Sequence, residues 1–456
     1  MMFNPEVPTR VVVIGGGPGG QAAATTAARF GAKVTLVEDQ IVGGAAHLWD
    51  CIPSKAMVSS SIRMRTIRNA ANLGLSDPGE VTVDMGRLSD RADRIANTIA
   101  ASVTDLLDSQ GVTIVRGRAR FASATSVVAE TDGGQIEIQF DHAVIATGSR
   151  PRIPDWAPID GERVLTTRHA YRLGELPTRM VIVGSGVTGV EMTHIFSSLG
   201  SSVALLVSRH HVLPHRDAEV ATVLEEDFLA RGVELLKGSR ATRIDRNGNE
   251  VSVRTEDGRV VKGSHALLAV GSVPNSGDLG LELAGVTHTG GFIDVDPFQR
   301  TSAPHIYAAG DVTGQMLLSS VATMQGTKIA RHILGHEVHP IDYRKVAQAV
   351  FTEPEIASVG LEEVDAAAEG RKVRITKVPL APNARALIQG DTKGFVKLVS
   401  DPATRIVLGG TVVGHHASEL IGSIAVATNA RLSVDILVET LMVHPSLTES
   451  IAEAAE

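Results

Sequence analysis

With a single cysteine, Cys51, in the whole sequence, no disulfide can close within the chain, whether structural or catalytic. Basic residues are also short of the acidic ones, 43 against 51, for a net charge of −8 with no basic run standing out. A nucleic-acid partner is therefore not expected. No apolar run reaches the length of a bilayer span. The first ten residues lack the basic region and apolar core of a secretory leader, so the expectation is a cytoplasmic protein. Aromatic residues make up only 3%, whereas glycines number 45, a balance that suggests tight turns and close backbone approaches. At 456 residues the chain exceeds one ordinary core, and two to four domains are expected.

What the sequence does contain is a pattern written twice. Arg10, Val11, Val12, Val13 and Ile14 form a buried-strand run entering Gly15, Gly16, Gly17, Pro18, Gly19 and Gly20. A helix follows to about Phe30, capped at Gly31, and a second strand from Lys33 to Val37 ends at Glu38. The same grammar returns with a strand at Met180 to Val183, a turn through Gly184, Gly186 and Gly189, and a helix to Leu199 capped by Gly200. A further strand, Val203 to Val207, completes it. Each unit then runs into short strands joined by hairpin signals, Asp132-Gly133 in the first and Asn247-Gly248 and Asp257-Gly258 in the second. Each meander leads to an apolar strand ending in a glycine turn, at Gly148 and at Gly271. A helical stretch is expected from about Val83 to Asp108, and from about Val346 the texture changes to mixed strands and helices.

One such glycine turn is weak evidence, because small residues there can serve packing alone. Here the context is complete. Gly15 allows the turn, Gly17 lets a pyrophosphate approach the backbone, and Gly20 lets helix pack on strand. The helix N-terminus faces the phosphates, and Glu38 stands about twenty residues on to accept from a ribose diol. The second unit has Ser208 and Arg209 where the first has its carboxylate. A hydroxyl and a guanidinium suit a 2′-phosphate, which favours NADPH over NADH, with NADH possible; the alternative is a solvated surface charge. Two dinucleotide folds in one chain imply hydride transfer between flavin and nicotinamide.

Further motifs carry a resemblance along nearly the full chain: Ala146-Thr147-Gly148, then Tyr307-Ala308-Ala309-Gly310-Asp311, then Phe351-Thr352-Glu353-Pro354 to Gly360, then His444-Pro445-Ser446 to Glu449. The sequence resembles the flavoprotein disulfide reductases, the lipoamide dehydrogenase and glutathione reductase family. That resemblance implies an α/β fold with two tandem Rossmann-like FAD/NAD(P)-binding domains and a C-terminal α+β dimerisation domain. Boundaries follow at 1–150 and 276–345 for FAD, 151–275 for NAD(P)H and 346–456 for the dimer interface, so a homodimer is expected. It further implies that Asp311 binds the FAD ribityl chain and that Gly44 and Gly271 join the other glycines as cofactor-binding positions. Lys55 and Glu191 would pair near the flavin.

The departure from the family is equally informative. Its redox segment carries two cysteines, and here it reads Gly43-Gly44-Ala45-Ala46-His47-Leu48-Trp49-Asp50-Cys51-Ile52-Pro53-Ser54-Lys55. Ala46 stands where the family has its attacking cysteine. Dithiol–disulfide exchange needs two sulfurs, so the family's disulfide reduction is excluded. The resemblance narrows to the bacterial lipoamide-dehydrogenase-like NAD(P)H:quinone reductases that lack the redox disulfide, which implies a quinone-type acceptor. A soluble pyridine nucleotide transhydrogenase and a catalytically silent flavin-binding regulatory protein are the alternatives. In the family such a dyad enters the partner subunit's active site and serves the attacking thiol, so with that thiol absent His444 and Glu449 are candidates for proton supply, an interface contact or a leftover of the lost chemistry. Cys51 is a thiol against flavin, an inert small residue or a peroxidatic thiol. Val187 falls at the family's aromatic gate over the nicotinamide pocket. No metal site is expected: the pairs His210-His211 and His415-His416 should have diverging side chains, and no ligand spacing surrounds them.

Overall fold

The computed structural model describes residues 7–76 and 79–456; the first six residues of the expected leaderless N-terminus lie outside the described part. The chain divides into two compact units, one from Met1–Ser54, Ser89–Arg152 and Gly271–Ile341, the other from Lys55–Leu88, Ile153–Val270 and Asp342–Glu456.

In the first unit a five-stranded parallel sheet runs in the order Ile306–Ala308, His142–Ile145, Arg10–Ile14, Lys33–Glu38, Thr113–Arg116. Apolar runs without alternation are what a sheet covered on both faces requires, and Val11 to Val13 are almost wholly buried. The helix Pro18–Arg29 packs on the helix Ser319–Ile333, and this contact explains one glycine. A Cβ at Gly326 would lie 2.1 Å from the Gly19 carbonyl oxygen, so only glycine lets the two backbones meet. An antiparallel meander of Arg118–Ser123, Ser126–Thr131 and Gly134–Gln139 adjoins the sheet.

The second unit repeats the design. Its parallel sheet has the order Glu234–Lys237, Ser202–Val207, Arg179–Val183, His265–Leu268, Val164–Thr166, followed by the meander Ala241–Asn247, Glu250–Thr255 and Val260–Gly263. Its C-terminal part is an antiparallel sheet ordered Gln348–Val350, Ile356–Gly360, Val407–Val413, Phe395–Ser400, Arg374–Pro379. Ala357, Val396, Val412, Ile421, Ile424 and Ile451 share its core.

Most elements fall within a residue or two of their expected positions, including the helix Met85–Ser109. The 18-residue helix Cys51–Arg68 is an addition. Its polar surface is shared with serines and arginines and offers little helical periodicity to read. Among the described residues no helix is long and apolar enough to cross a membrane.

Candidate active site

The first glycine turn is built by sterics that can be checked atom by atom. Gly15 has φ +100°, and a Cβ there would meet the Ala146 carbonyl oxygen at 2.4 Å. A Cβ on Gly20 would fall 1.9 Å from the Gly15 carbonyl oxygen, whereas one on Gly17 would meet no atom within 4 Å. Gly15 and Gly20 are therefore required by the protein's own backbone; Gly17 faces open space. Gly17 also N-caps the helix Pro18–Arg29 without any side-chain cap, which leaves first-turn N–H groups for an external anion. Gly44 comes close alongside: a Cβ there would lie 3.2 Å from the Gly17 Cα, and the Gly43 N–H donates to the Gly16 carbonyl at 2.8 Å.

Glu38, at the end of the neighbouring strand, is buried, and both its oxygens are occupied. Oε2 accepts from the Gly16 N–H at 2.6 Å and Oε1 from the Gln40 N–H at 2.8 Å. Burial nevertheless pushes its carboxyl up to about 7, against those two N–H donors. The turn and the carboxylate are thus locked in register.

The second turn copies the first. Gly184 has φ +111° and its Cβ would meet the Ala269 carbonyl oxygen at 2.2 Å. A Cβ on Gly189 would lie 1.8 Å from the Gly184 carbonyl oxygen, and one on Gly186 would meet nothing within 4 Å. Gly186 likewise N-caps the helix Val187–Leu199 without a side-chain cap. Ser208 and Arg209 follow the strand Ser202–Val207, both exposed, as is Val187. Ala269 thus stands to Gly184 as Ala146 stands to Gly15, and Gly271, at φ +95°, corresponds to Gly148, at φ +69°.

The turn after Ala146 is held by reciprocal bonds within the first unit. Thr147 Oγ1 donates to the Asn275 carbonyl at 2.7 Å, and Asn275 Nδ2 donates to the Thr147 carbonyl at 2.9 Å. One residue beyond Gly148, the Ser149 hydroxyl donates to Asp311 Oδ2 at 2.7 Å. Burial raises the Asp311 carboxyl, with the Ser149 bond opposing. The Gly310 N–H donates to Oε1 of the buried Gln325 at 2.6 Å, so both Gly310 and Asp311 are set by side chains from elsewhere in the unit.

In the second unit Lys55 Nζ donates to Glu191 Oε2 at 2.8 Å, and Oε1 of the same carboxylate accepts the Phe351 N–H at 2.9 Å. Glu191 is 4% exposed, and the ammonium also sits 4.6 Å from the Phe351 ring centroid. A buried carboxylate with both oxygens bonded holds the lysine in one place as a fixed cation. Cys51 opens the helix on which Lys55 lies one turn later; its Sγ is 3.2 Å from Ser319 Oγ. His444 Nδ1 is 2.8 Å from Glu449 Oε1, and Glu449 Oε2 accepts the Ser446 N–H at 2.8 Å. Those two contacts hold the Glu449 carboxyl below its ordinary range. The His444 side chain is 72% exposed. This dyad is oriented, yet its imidazole faces outward.

Residues 9–326 match the family model "Pyridine nucleotide-disulphide oxidoreductase", and residues 346–455 match the dimerisation domain of the same family. The chain belongs to the pyridine nucleotide-disulphide oxidoreductases. It is 43% identical over 459 residues to a Mycobacterium tuberculosis protein named NAD(P)H dehydrogenase (quinone), with 98% of this chain and 93% of that protein covered. Dihydrolipoyl dehydrogenase of Chlamydia muridarum is 34% identical, covering 97% of this chain and 95% of the relative. Among solved structures, LpdA from M. tuberculosis superposes with a TM-score of 0.93 at 43% identity, covering 98% and 99% of the two chains. The HOCl-induced flavoprotein disulfide reductase RclA from Escherichia coli, solved as a Cu(II) complex, gives 0.89 at 26% identity, covering 98% and 99%. As an oxidoreductase of this family the chain works with FAD and NAD(P)H, and it carries the family's dimerisation domain.

Within this pyridine nucleotide-disulphide oxidoreductase, several groups that frame the turns went unnoticed in the sequence, namely the side chains of Asn275, Ser149 and Gln325 and the Ala269 carbonyl, and the bond of the Phe351 N–H to Glu191 was not foreseen although Phe351 opens one of the motifs. Each acts across at least 15 residues of chain, so no local spacing could announce it. One expectation is overturned. His415 and His416 do not diverge; their ring centroids are 3.8 Å apart. His416 takes φ +58° as it caps the helix Ala417–Asn429, which abolishes the alternation of a strand. Asp217, Glu219 and Glu363 come close enough together for a metal, but the buried ammonium of Lys397 bonds all three.

Proposed function

We propose that this chain passes hydride equivalents from a nicotinamide nucleotide, NADPH by preference, through FAD to a quinone-type acceptor, without a redox disulfide. The single observation carrying this reading is that Lys55 and Glu191 are kept as a bonded pair at 2.8 Å in a chain whose only sulfur of this kind is Cys51. The machinery for flavin is retained where the machinery for disulfide exchange is gone. The relative from M. tuberculosis named NAD(P)H dehydrogenase (quinone) supports the acceptor class.

In this reading residues 1–150 and 276–345 hold FAD, residues 151–275 the nicotinamide nucleotide, and residues 346–456 form the dimer interface. The free space at Gly17 and the uncapped helix behind it fit a pyrophosphate. Gly15, Gly20, Gly44, Ala146, Thr147, Gly148 and Gly310 shape that cradle, Glu38 faces the adenosine ribose, and Asp311 the ribityl chain. Gly184, Gly186, Gly189, Gly271, Ser208 and Arg209 do the same for the nicotinamide nucleotide. FAD bound there would supply the hydride chemistry, two electrons and one proton per turnover, between the reduced nicotinamide and the acceptor. Lys55, oriented by Glu191, would supply a fixed positive charge toward the negative charge that hydride transfer develops. His444, held by Glu449, would supply the second proton, which with the hydride turns a quinone into a quinol; because it lies in the dimerisation domain, it would do so in the neighbouring subunit.

Anaerobic titration with NADPH should bleach the flavin, and naphthoquinone should restore its colour faster than oxygen does. Reduction of a nicotinamide analogue without quinone turnover would favour transhydrogenation instead. Robust NADPH-dependent cleavage of a small disulfide would refute the proposal.

A further inference from the structure

The loop after the strand Ser202–Val207 carries Ser208, Arg209, His210 and His211, all exposed, yet its backbone is tied at several points. The Gly238 N–H donates to the carbonyls of Val207 at 2.9 Å and Arg209 at 3.2 Å. The Leu213 N–H donates at 2.9 Å to the carbonyl of Ser185, inside the second glycine turn. Leu213 sits at φ +49°, a left-handed conformation that a residue with a side chain adopts only under strain. Beyond it, the Arg216 guanidinium bonds Glu362, Ser358 and Gln348. The Asp217 carboxylate bonds Lys397 and the Val364 N–H.

Between these ties, one side chain from the helix Ala218–Ala230 reaches the loop. Glu225 Oε1 accepts the Val212 N–H at 2.9 Å, and Oε2 accepts from Lys237 Nζ, with His211 Nδ1 at 3.8 Å from the same oxygen. Glu225 is 7% exposed. A buried carboxylate costs free energy unless it is paired. Lys237 neutralises this one, and the remaining oxygen is committed to the backbone of a loop whose side chains 208–211 face solvent while Val212 and Leu213 anchor it in the core. That arrangement holds residues 208–213 in one conformation, strained at Leu213, against the glycine turn.

We infer that Glu225, backed by Lys237, is a positioning residue for the nucleotide: it fixes the loop so that Ser208 and Arg209 meet a 2′-phosphate already arranged. The inference rests on the NADPH reading given above. Glu225 touches no nucleotide; its effect passes through the Val212 N–H. Pre-organised donors recognise a dianion with less ordering cost than mobile ones, so loosening the loop should weaken the phosphate contact selectively.

The probes are 2′,5′-ADP and 5′-AMP, titrated calorimetrically into the holoenzyme. Glu225→Ala should weaken 2′,5′-ADP roughly tenfold and 5′-AMP less than about twofold, the scale expected when a charge-assisted contact loses its geometry. KM for NADPH should rise in parallel while kcat at saturation is kept. Glu225→Gln retains an oxygen for the Val212 N–H and should recover most of the ratio between the probes. If Glu225→Ala gives no folded holoenzyme, Glu225→Asp, too short to reach Val212, should shift the ratio in the same direction. A lowered melting temperature with an unchanged probe ratio would overturn the inference and leave Glu225 a structural tie. Equal affinity of the wild-type enzyme for both probes would instead defeat the NADPH reading, before any variant is made.

Discussion

Substituting Gly17, Gly20 and Gly186 by alanine, one at a time, separates folding from cofactor binding. Gly17 has φ −68° and ψ −178° and Gly186 has φ −73° and ψ −173°, values that alanine adopts without strain. The added Cβ meets no protein atom within 4 Å at either position. Stability of the apo-protein should therefore change by less than about 1 kcal/mol, the loss of chain entropy offsetting the poorer N-cap. The methyl group occupies the approach of a pyrophosphate to the helix N-terminus. Displacing it costs about two charge-assisted hydrogen bonds at roughly 1.5 kcal/mol each, near 3 kcal/mol or about a hundredfold in affinity. Gly17→Ala should thus emerge from gel filtration folded but nearly colourless, regaining colour in excess FAD. Gly186→Ala should keep its flavin and show KM for NADPH raised by a similar factor. Gly20→Ala is the contrast, because its Cβ would lie 1.9 Å from a backbone oxygen, so it should lose stability by about 1–3 kcal/mol or more. Flavin absorbance per mole of protein, read beside thermal melts of the deflavinated variants, distinguishes the three. A Gly17→Ala protein with full flavin content would refute the assignment of that open space to the pyrophosphate.

Lys55→Met should slow flavin reduction by NADPH roughly a hundredfold, the scale of removing one fixed charge from developing negative charge, with flavin content unchanged; stopped-flow absorbance would report it, and a wild-type rate would make the pair with Glu191 structural. Cys51→Ser, which keeps a hydroxyl for Ser319, should leave quinone turnover within about twofold of wild type; a dead variant would place the thiol in the chemistry. Burial raises Glu38 to about 7 from an ordinary 4.5, so between those values the folded apo-protein holds a proton that the unfolded chain has released. Its contribution is fully present below the lower value and is lost as pH rises through 7. Urea melts of deflavinated protein should show this decline, and Glu38→Gln should flatten it.

The two parallel sheets and both glycine turns were legible because their signals are local. An apolar run without alternation, a glycine turn and a strand ending at Glu38 lie within thirty residues of one another. The pairing of Lys55 with Glu191 could be named only through family resemblance, since 136 residues separate them. Nothing in the sequence marked Phe351 as the donor of an N–H to Glu191. The helix Cys51–Arg68 was missed for a related reason: its residues follow tertiary neighbours more than any amphipathic period. The facing rings of His415 and His416 depend on one positive φ, which an expectation of regular structure passes over.

By itself the chain's order of residues determined that two dinucleotide folds are present and that no disulfide closes within the chain, because strand periodicity, glycine sterics and a count of one cysteine need no distant information. Tertiary structure alone decided which groups hold the site in place: Ser149 on Asp311, Gln325 on Gly310, Asn275 on Thr147 and Glu225 on Val212. The physical reason is that these bonds form only after the sheets have assembled. A hydrogen bond between remote segments is directional and worth little until burial has brought both partners out of water, so it leaves no period or spacing in the sequence.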